Sequence, residues 1–132
     1  MTAFDDLLIS GKEIDQELVA GVLKSLLRID RDTCAIRPQA AWGQVSNDAR
    51  ILAYLLARKA MIALNLPLAR EAAAPLEVTA ATGIPSGSVN PSLKGLFERR
   101  PQLVDKDSAS RYLVPSWAVD NACDFIKSRI KP

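Results

Sequence analysis

The stretch that decides the fold is Pro75–Arg100, PLEVTAATGIPSGSVNPSLKGLFERR. Proline is favoured at the first position of a helix, where its missing N–H is not needed, so a short helix is predicted to begin at Pro75. Gly83 is predicted to end this helix, because glycine adopts positive φ without strain. After a tight turn, Ser86 offers a side-chain oxygen that could cap a second helix. The stretch therefore predicts two helices joined by a short turn.

The second helix has one apolar face and one face of small, polar residues. Val89, Leu93 and Leu96 recur at helical spacing, with Phe97 beside them, so they are predicted to face the core from a helix over residues 86–98. Apolar residues six, ten and thirteen positions after a glycine have the spacing of a helix-turn-helix. The outward face is predicted to carry Ser88, Asn90, Pro91, Ser92, Lys94 and Gly95.

Pro91 leaves two alternatives for the start of the second helix. In one, the helix starts near Ser86, and the proline ring presses on the carbonyl of Gly87, which yields easily. In the other, the helix begins at Pro91 with Asn90 as its cap, and Asn90 is then less able to contact a base. With the earlier start, the N–H groups of residues 87–89 would form a phosphate site.

A β-hairpin is predicted after the two helices. Leu103-Val104 and Tyr112–Val114 flank the polar run 105–110, which is typical of a turn. Helix, turn, helix and hairpin in this order resemble the winged-helix family of DNA-binding domains. Locally the second helix resembles that of PadR-type transcriptional regulators, with a small-residue start, a proline in the first turns and leucines beyond. The residues that carry this likeness are Ser86, Gly87, Ser88, Val89, Pro91, Leu93 and Leu96.

The resemblance implies a mainly α fold with a small β-hairpin. It covers roughly residues 48–130 as an architecture and 83–97 as a motif. Residues 46–132 are predicted to form a winged helix-turn-helix domain with a C-terminal helix. Residues 1–45 are predicted to form an N-terminal helical extension that packs on this domain or dimerises it.

Apolar periodicity predicts the remaining helices. They are expected over residues 2–9, 13–29, 38–44, 48–66 and 116–130, with Trp42 as an anchor and with Ser46 or Asn47 and Ser116 as caps. The helix over 48–66 is apolar nearly all round, so a second layer is predicted to cover it. That layer is either the N-terminal helices or a second copy of the chain.

Two neighbouring cations interrupt this apolar helix. Arg58 and Lys59 are predicted to pair with Asp15, Glu17 or Asp48, because a buried cation is costly without a partner. A ligand or partner site at this pair is an alternative.

Composition and charge place the chain among soluble, cytoplasmic proteins. Its 132 residues are 48% hydrophobic and include no run that predicts a membrane span, and the first ten residues do not resemble a secretion signal. Cys34 and Cys123 are expected to be reduced thiols.

The net charge is +2, but it is unevenly distributed. Residues 82–132 carry eight basic and five acidic side chains, whereas residues 1–40 carry five basic and seven acidic ones. This bias favours a nucleic-acid partner for the C-terminal half.

Residues suited to DNA occur on the second helix, the corner after it and the hairpin. Asn90 has the donor and acceptor that match adenine, whereas serine and lysine side chains suit phosphates. The predicted DNA-binding residues are Ser86, Ser88, Asn90, Ser92, Lys94, Arg99, Arg100, Lys106 and Arg111. The alternative is a solvated surface, helped at the hairpin by Asp105 and Asp107, which partly cancel the charge.

An enzymatic function is not predicted. The chain has no histidine, which excludes a histidine-based triad and a histidine-ligated zinc site. No cofactor or metal is predicted. The predicted function is a homodimeric, sequence-specific transcriptional regulator that binds double-stranded DNA. One alternative is a winged-helix adaptor or assembly subunit that binds a protein partner, through its N-terminal helices, within a larger nucleic-acid-handling complex. A second alternative is a regulator with a small-molecule pocket near Trp42 or Trp117.

Overall fold

The computed structural model describes residues 15–130. Its helices are α1 (Gln16–Leu23), α2 (Asn47–Ala63), α3 (Pro75–Thr82), α4 (Ser86–Glu98) and α5 (Val119–Arg129). Its strands are β1 (Leu27–Ile29), β2 (Ile36–Pro38), β3 (Asp105–Lys106) and β4 (Tyr112–Leu113), and 3-10 turns span Ala40–Gln44 and Ser116–Ala118. The predicted mainly α fold with a small hairpin is confirmed. The helix predicted over 2–9 lies outside the described residues.

Helix α2 is the centre of the core. Ser46 caps it, since its Oγ accepts a hydrogen bond of 3.3 Å from the N–H of Ala49. Every residue from 51 to 59 is buried, and α1, α3, α4, α5 and β4 all contact the helix. The helix ends at Ala63 rather than at residue 66, because Asn65 takes a left-handed φ of 57°. Residues 51–59 of α2 are thus buried within one copy of the chain, whereas Ile62 and Ala63 at its C-terminal end are exposed.

The two helices of the deciding stretch have the predicted bounds. α3 begins at Pro75, and Gly83 ends it with a φ of 76°. The prediction that Ser86 caps α4 is wrong, because Pro85 occupies the cap position and Ser86 lies in the first turn. The alternative start at Pro91 is also wrong, since α4 runs through Pro91 without interruption.

The hairpin after α4 is shifted from its predicted position. β3 pairs with β4 in the register Asp105↔Leu113 and Lys106↔Tyr112, so Leu103-Val104 is not a strand. Both of those residues are buried and lead the chain from α4 into the hairpin. On its other edge β4 meets Ala73, which exchanges two hydrogen bonds of 2.8 Å with Tyr112. β4 therefore lies between β3 and the segment that precedes α3.

The N-terminal part differs most from the prediction. The helix predicted over 13–29 ends at Leu23, and β1 and β2 form an antiparallel hairpin. Asp30 shapes its turn, because its Oδ1 accepts hydrogen bonds from the N–H groups of Asp32 (2.9 Å) and Thr33 (3.1 Å). The predicted short helix around Trp42 is the 3-10 turn at 40–44, in which Trp42 is buried.

The C-terminal helix packs on the chain's own core. α5 contacts α1 and α2 through a stripe that contains Val119, Ala122, Cys123 and Ile126, all buried. Ser116 does not cap α5, because it begins a 3-10 turn, and the helix starts at Val119. α1 and α5 thus cover one part of α2, while α3 and α4 pack elsewhere on it.

Candidate nucleic-acid interface

Helix α4 separates an apolar face from a polar one, as predicted. Val89, Leu93 and Leu96 are at most 1% exposed. On the outward side Ser86, Asn90 and Lys94 are exposed, and so are Gly87, Pro91 and Gly95, whereas Ser88 and Ser92 are half-buried. Among the outward residues from 86 to 95, Lys94 is the one long side chain. The described chain therefore leaves this face of α4 open to solvent along its length.

The start of α4 offers fewer backbone donors than the sequence suggested. The N–H groups of Ser88 and Val89 both donate to the carbonyl of Pro85, at 2.9 and 3.0 Å. The prediction that the N–H groups of residues 87–89 form a phosphate site is therefore wrong for Ser88 and Val89, whose N–H groups already have a partner within the chain. The donors at the helix start are instead those of Ser86 and Gly87.

Two charges lie on the outward face of α4. Lys94 and Glu98 are both exposed and are four residues apart, so they lie one turn from each other on the same side. Glu98 is absent from the predicted DNA-binding residues, although its spacing of four residues from Lys94 puts both on one side of a helix. The two charges oppose each other, so the face is polar rather than strongly basic.

The corner after α4 turns partly away from this face. The guanidinium of Arg99 lies 4.8 Å from the centre of the Phe125 ring on α5, and that of Arg129 lies 3.8 Å from the same ring. Arg100 Nη1 donates to the carbonyls of Glu98 (3.1 Å) and Arg99 (2.9 Å). Arg99 thus packs toward α5, and Arg100 stays exposed at the end of α4.

The hairpin brings one cation back to α4. Lys106 Nζ lies 5.2 Å from the ring centre of Phe97 on α4 and 6.0 Å from that of Tyr112. These distances are within the range of cation–π attraction, and Lys106 remains exposed. Lys106 therefore extends the α4 surface at its C-terminal end.

Arg111 is bound within the hairpin itself. Its Nε donates to Asp107 Oδ2 at 2.9 Å, and Asp107 Oδ1 accepts from the N–H groups of Ala109 (2.9 Å) and Arg111 (3.0 Å). The hydrogen bond from the Arg111 N–H lowers the pKa of Asp107, and the other two bonds add to this against a smaller effect of desolvation. Arg111 therefore closes the turn of the hairpin.

A buried arginine holds the segment that connects α2 to α3. Arg58, only 4% exposed, donates to the carbonyls of Glu71 (2.7 Å), Arg70 (2.9 Å) and Ala72 (3.2 Å). It also donates to the hydroxyl of Tyr54 at 2.8 Å. This segment leads directly into the Ala73–Tyr112 bridge and α3. Arg58 therefore fixes the backbone from which both the hairpin and the two helices are placed.

The ion pairs of this cluster correct the sequence-based prediction. Lys59 Nζ lies 2.9 Å from Glu71 Oε2, and an Arg58 Nη lies 3.8 Å from Glu77 Oε2. Asp15, Glu17 and Asp48 are not the partners. The true partners are more than ten positions further along the chain, and no local pattern links them to α2.

Glu77 joins α3 to the same cluster. Its Oε1 accepts from Arg70 at 2.6 Å and from the N–H of Ala74 at 3.0 Å. Desolvation would raise the pKa of Glu77, but the Ala74 hydrogen bond and the Arg58 and Arg70 charges together lower it. The carboxylate therefore stabilises the start of α3 in its ionised form.

Exposed apolar side chains occur outside the α4 surface. Leu76 in the first turn of α3 is 75% exposed, and Trp117 before α5 is 53% exposed. Single exposed apolar residues are common, but tryptophan is enriched in protein–protein contacts. These two residues are the feature of this half of the chain that suits a protein partner.

The described residues offer neither a metal site nor a transmembrane helix. Within residues 15–130, the cysteine and carboxylate side chains form no group of three or more that could hold a metal ion. None of the helices in that range combines the length and apolar character needed to span a membrane.

The chain matches no protein-family model, no curated protein and no solved structure.

Proposed function

We propose that the chain is a winged-helix DNA-binding protein in which α4 enters the major groove. The single observation that carries this proposal is the outward face of α4, which is exposed along its length and made of small and polar side chains. Small side chains let a helix sit deep in a groove that is about 12 Å wide. The apolar face of the same helix is buried, so α4 is held in place by the core.

The order of the elements supports the winged-helix assignment. α2 is followed by the Ala73 bridge, by α3 and α4, and then by β3 and β4. β4 lies between β3 and Ala73, so the hairpin is joined to the helical core by backbone hydrogen bonds. The β3–β4 hairpin is then the wing, which contacts the DNA backbone or the adjacent minor groove.

Specific roles follow from the chemistry of the exposed residues. Asn90 pairs with adenine through its amide, because its donor and acceptor match the adenine edge in the major groove. Lys94 and Lys106 contact phosphates, as do the hydroxyl of Ser86 and the backbone donors beside it. Arg100 adds a phosphate contact at the end of α4. Arg99 and Arg111 are assigned to the fold, because each is engaged by its neighbours.

The proposed biological role is transcriptional regulation by a homodimer with a PadR-like recognition helix. Two copies would place their recognition helices about one turn of DNA apart, on a near-palindromic site. A dimer doubles the number of phosphate contacts, which compensates for the few cations on each α4 surface.

A binding titration with charge-reversal variants tests the proposal. Fluorescence anisotropy with a mixed pool of duplexes should show binding at low salt, with an affinity that falls steeply as salt rises. Lys94→Glu combined with Lys106→Glu should lower the affinity at least tenfold and reduce the salt slope by about one per lost phosphate contact. Lys127→Glu, an exposed change of the same charge on α5, is the matched control and should bind as the parent does. Equal binding by the parent and the double variant would contradict the proposal.

The second candidate is an adaptor that binds a protein through the same fold. It is favoured by the exposed Trp117 and Leu76 and by the opposed charges of Lys94 and Glu98. An adaptor of this kind would not bind the duplex pool at any salt concentration. Trp117→Ser would then abolish capture of a defined partner while leaving the melting temperature unchanged.

A further inference from the structure

A groove lies on the N-terminal side of the molecule, away from the residues assigned to DNA. One wall is formed by α1 and β1, and the other by the C-terminal turns of α2. Its volume is about 450 Å³. Cavities that hold small organic molecules range from about 300 to 1,000 Å³, so the groove has the size of a small-molecule site.

Most of the residues that line the groove are apolar. Of its eleven lining residues, eight are aliphatic. They include Val19, Leu23 and Leu27 on one wall and Ala60, Ala63 and Leu64 on the other. Leu64 is 61% exposed although it is a large apolar side chain, so the described chain leaves it uncovered at the groove mouth. An apolar ligand that covered this surface would gain binding free energy in proportion to the apolar area it removes from water.

The charges at the rim have one sign. Lys24 and Arg28 line the groove, and none of the eleven lining residues carries a carboxylate. The Nη1 of Arg28 donates to the carbonyls of Lys24 and Leu27, and the side chain is exposed. Among residues 15–130, no carboxylate oxygen lies within 4.0 Å of either cation. The groove therefore presents two cations beside a mostly apolar lining.

We propose that this groove binds a small amphipathic anion, an organic acid with an aliphatic body and one carboxylate. The aliphatic body lies against Leu23, Leu27 and Ala63, and the carboxylate lies at the rim beside Lys24 and Arg28. A carboxylate bound to these cations gains charge-assisted hydrogen bonds, whereas a cationic head group of the same size is repelled. The proposal does not depend on DNA binding, because no residue assigned to DNA lines the groove.

Two amphiphilic probes of opposite charge and nearly equal alkyl length test the assignment. Decanoate should bind the full chain saturably, as followed by amide chemical shifts of residues 16–29 and 60–64, at concentrations below micelle formation. Decyltrimethylammonium, its cationic counterpart, should bind at least tenfold more weakly. Equal binding of the two would show simple partition of an alkyl chain and would overturn the proposal.

Variants localise the site. Ala63→Phe fills the groove from an exposed position and should abolish decanoate binding, and Lys24→Glu should weaken it about tenfold through the reversed charge. Lys127→Glu lies outside the groove and should leave the affinity unchanged. Decanoate binding that persists in Ala63→Phe would place the ligand elsewhere.

Two other occupants would also overturn the proposal. A dimer of the parent chain in sedimentation that Ala63→Phe dissociates would assign the groove to a second copy. An affinity for decanoate that rises when Leu7 and Leu8 are both changed to serine would assign it to the chain's own N-terminal residues.

Discussion

At the residue scale, Arg58 is the side chain on which the placement of the candidate surface depends. A guanidinium has donors in a planar fork, and here they reach three consecutive carbonyls and one hydroxyl. An ammonium group has the same charge but cannot span these acceptors. The partly buried carbonyls of residues 70–72 would lose these hydrogen bonds without this side chain, so the planar arrangement of the guanidinium donors matters as well as the charge.

Replacement of Arg58 should therefore destabilise the fold strongly. We expect Arg58→Met to lower the free energy of unfolding by about 3 kcal/mol, because it leaves several buried polar groups unpaired. Arg58→Lys should cost less, about 1–2 kcal/mol, because it keeps the charge near Glu77. Urea denaturation measures both. Arg31→Met is the matched control, since Arg31 is exposed in the β1–β2 turn, and it should change stability by less than about 0.5 kcal/mol. Equal effects at positions 58 and 31 would contradict the assigned role.

Glu77 gives the fold a dependence on pH. Its pKa in the folded chain lies below the ordinary 4.5. A carboxylate with a lowered folded pKa contributes stability above its unfolded pKa, and this contribution is lost as the pH falls through the folded value. The stability difference between the parent chain and Glu77→Gln should therefore be largest near neutral pH and should shrink as the pH falls below the ordinary value of 4.5. Urea denaturation over this range measures it, and a difference that does not change with pH would show that the ionised carboxylate is not the stabilising form.

At the element scale, the turn between α3 and α4 depends on the backbone of Gly83. Its φ of 76° ends α3, and a Cβ added there would meet no atom within 4 Å. The requirement for glycine is therefore conformational rather than steric. A left-handed conformation costs an L-residue about 1–2 kcal/mol.

Alanine substitutions at two glycines should have opposite effects. Gly83→Ala should lower the free energy of unfolding by about 1–2 kcal/mol, because alanine is strained at positive φ. Gly21→Ala should raise it by about 0.5–1 kcal/mol, because Gly21 lies inside α1 and a Cβ there also meets nothing within 4 Å. Thermal denaturation distinguishes the two. A stabilising effect at Gly83 would show that the turn does not need its left-handed residue.

The elements that the sequence predicted well are those with local signals. Pro75 and Gly83 bound α3 where the sequence placed them, because the start and the end of a helix depend on single residues. The β1–β2 hairpin was missed because Leu26 and Leu27 continue the apolar stripe of α1, and each strand has only three residues. The available signal was the polar run of residues 30–33, where the Asp30 side chain forms the turn.

The contacts that place the candidate surface could not be predicted. The pairing of Tyr112 with Ala73 and of Lys59 with Glu71 joins residues that are distant in the sequence. Such pairs depend on the way the elements pack, which a single sequence does not reveal. By contrast, the outward face of α4 was predicted correctly at Asn90 and Lys94, because it is the complement of a strong apolar stripe.

At the scale of the whole molecule, the described chain has one core around α2. α1 and α5 pack on α2 and on each other, while α3 and α4 pack on it as well. The N-terminal residues from α1 onward therefore do not cover the outward face of α4, where Ser86, Asn90 and Lys94 remain exposed. This arrangement leaves one face for the proposed DNA contact and a separate groove for the proposed small ligand.

The most direct test of the central claim is a map of amide chemical shifts on addition of DNA. The duplex would be one that the protein itself selects from a random pool at low salt. We predict that the shifted amides cluster in residues 86–95 of α4 and in residues 105–112 of the hairpin. Failure to select any duplex, or shifts confined to α1 and the β1–β2 hairpin with α4 unchanged, would contradict the proposal that α4 reads DNA.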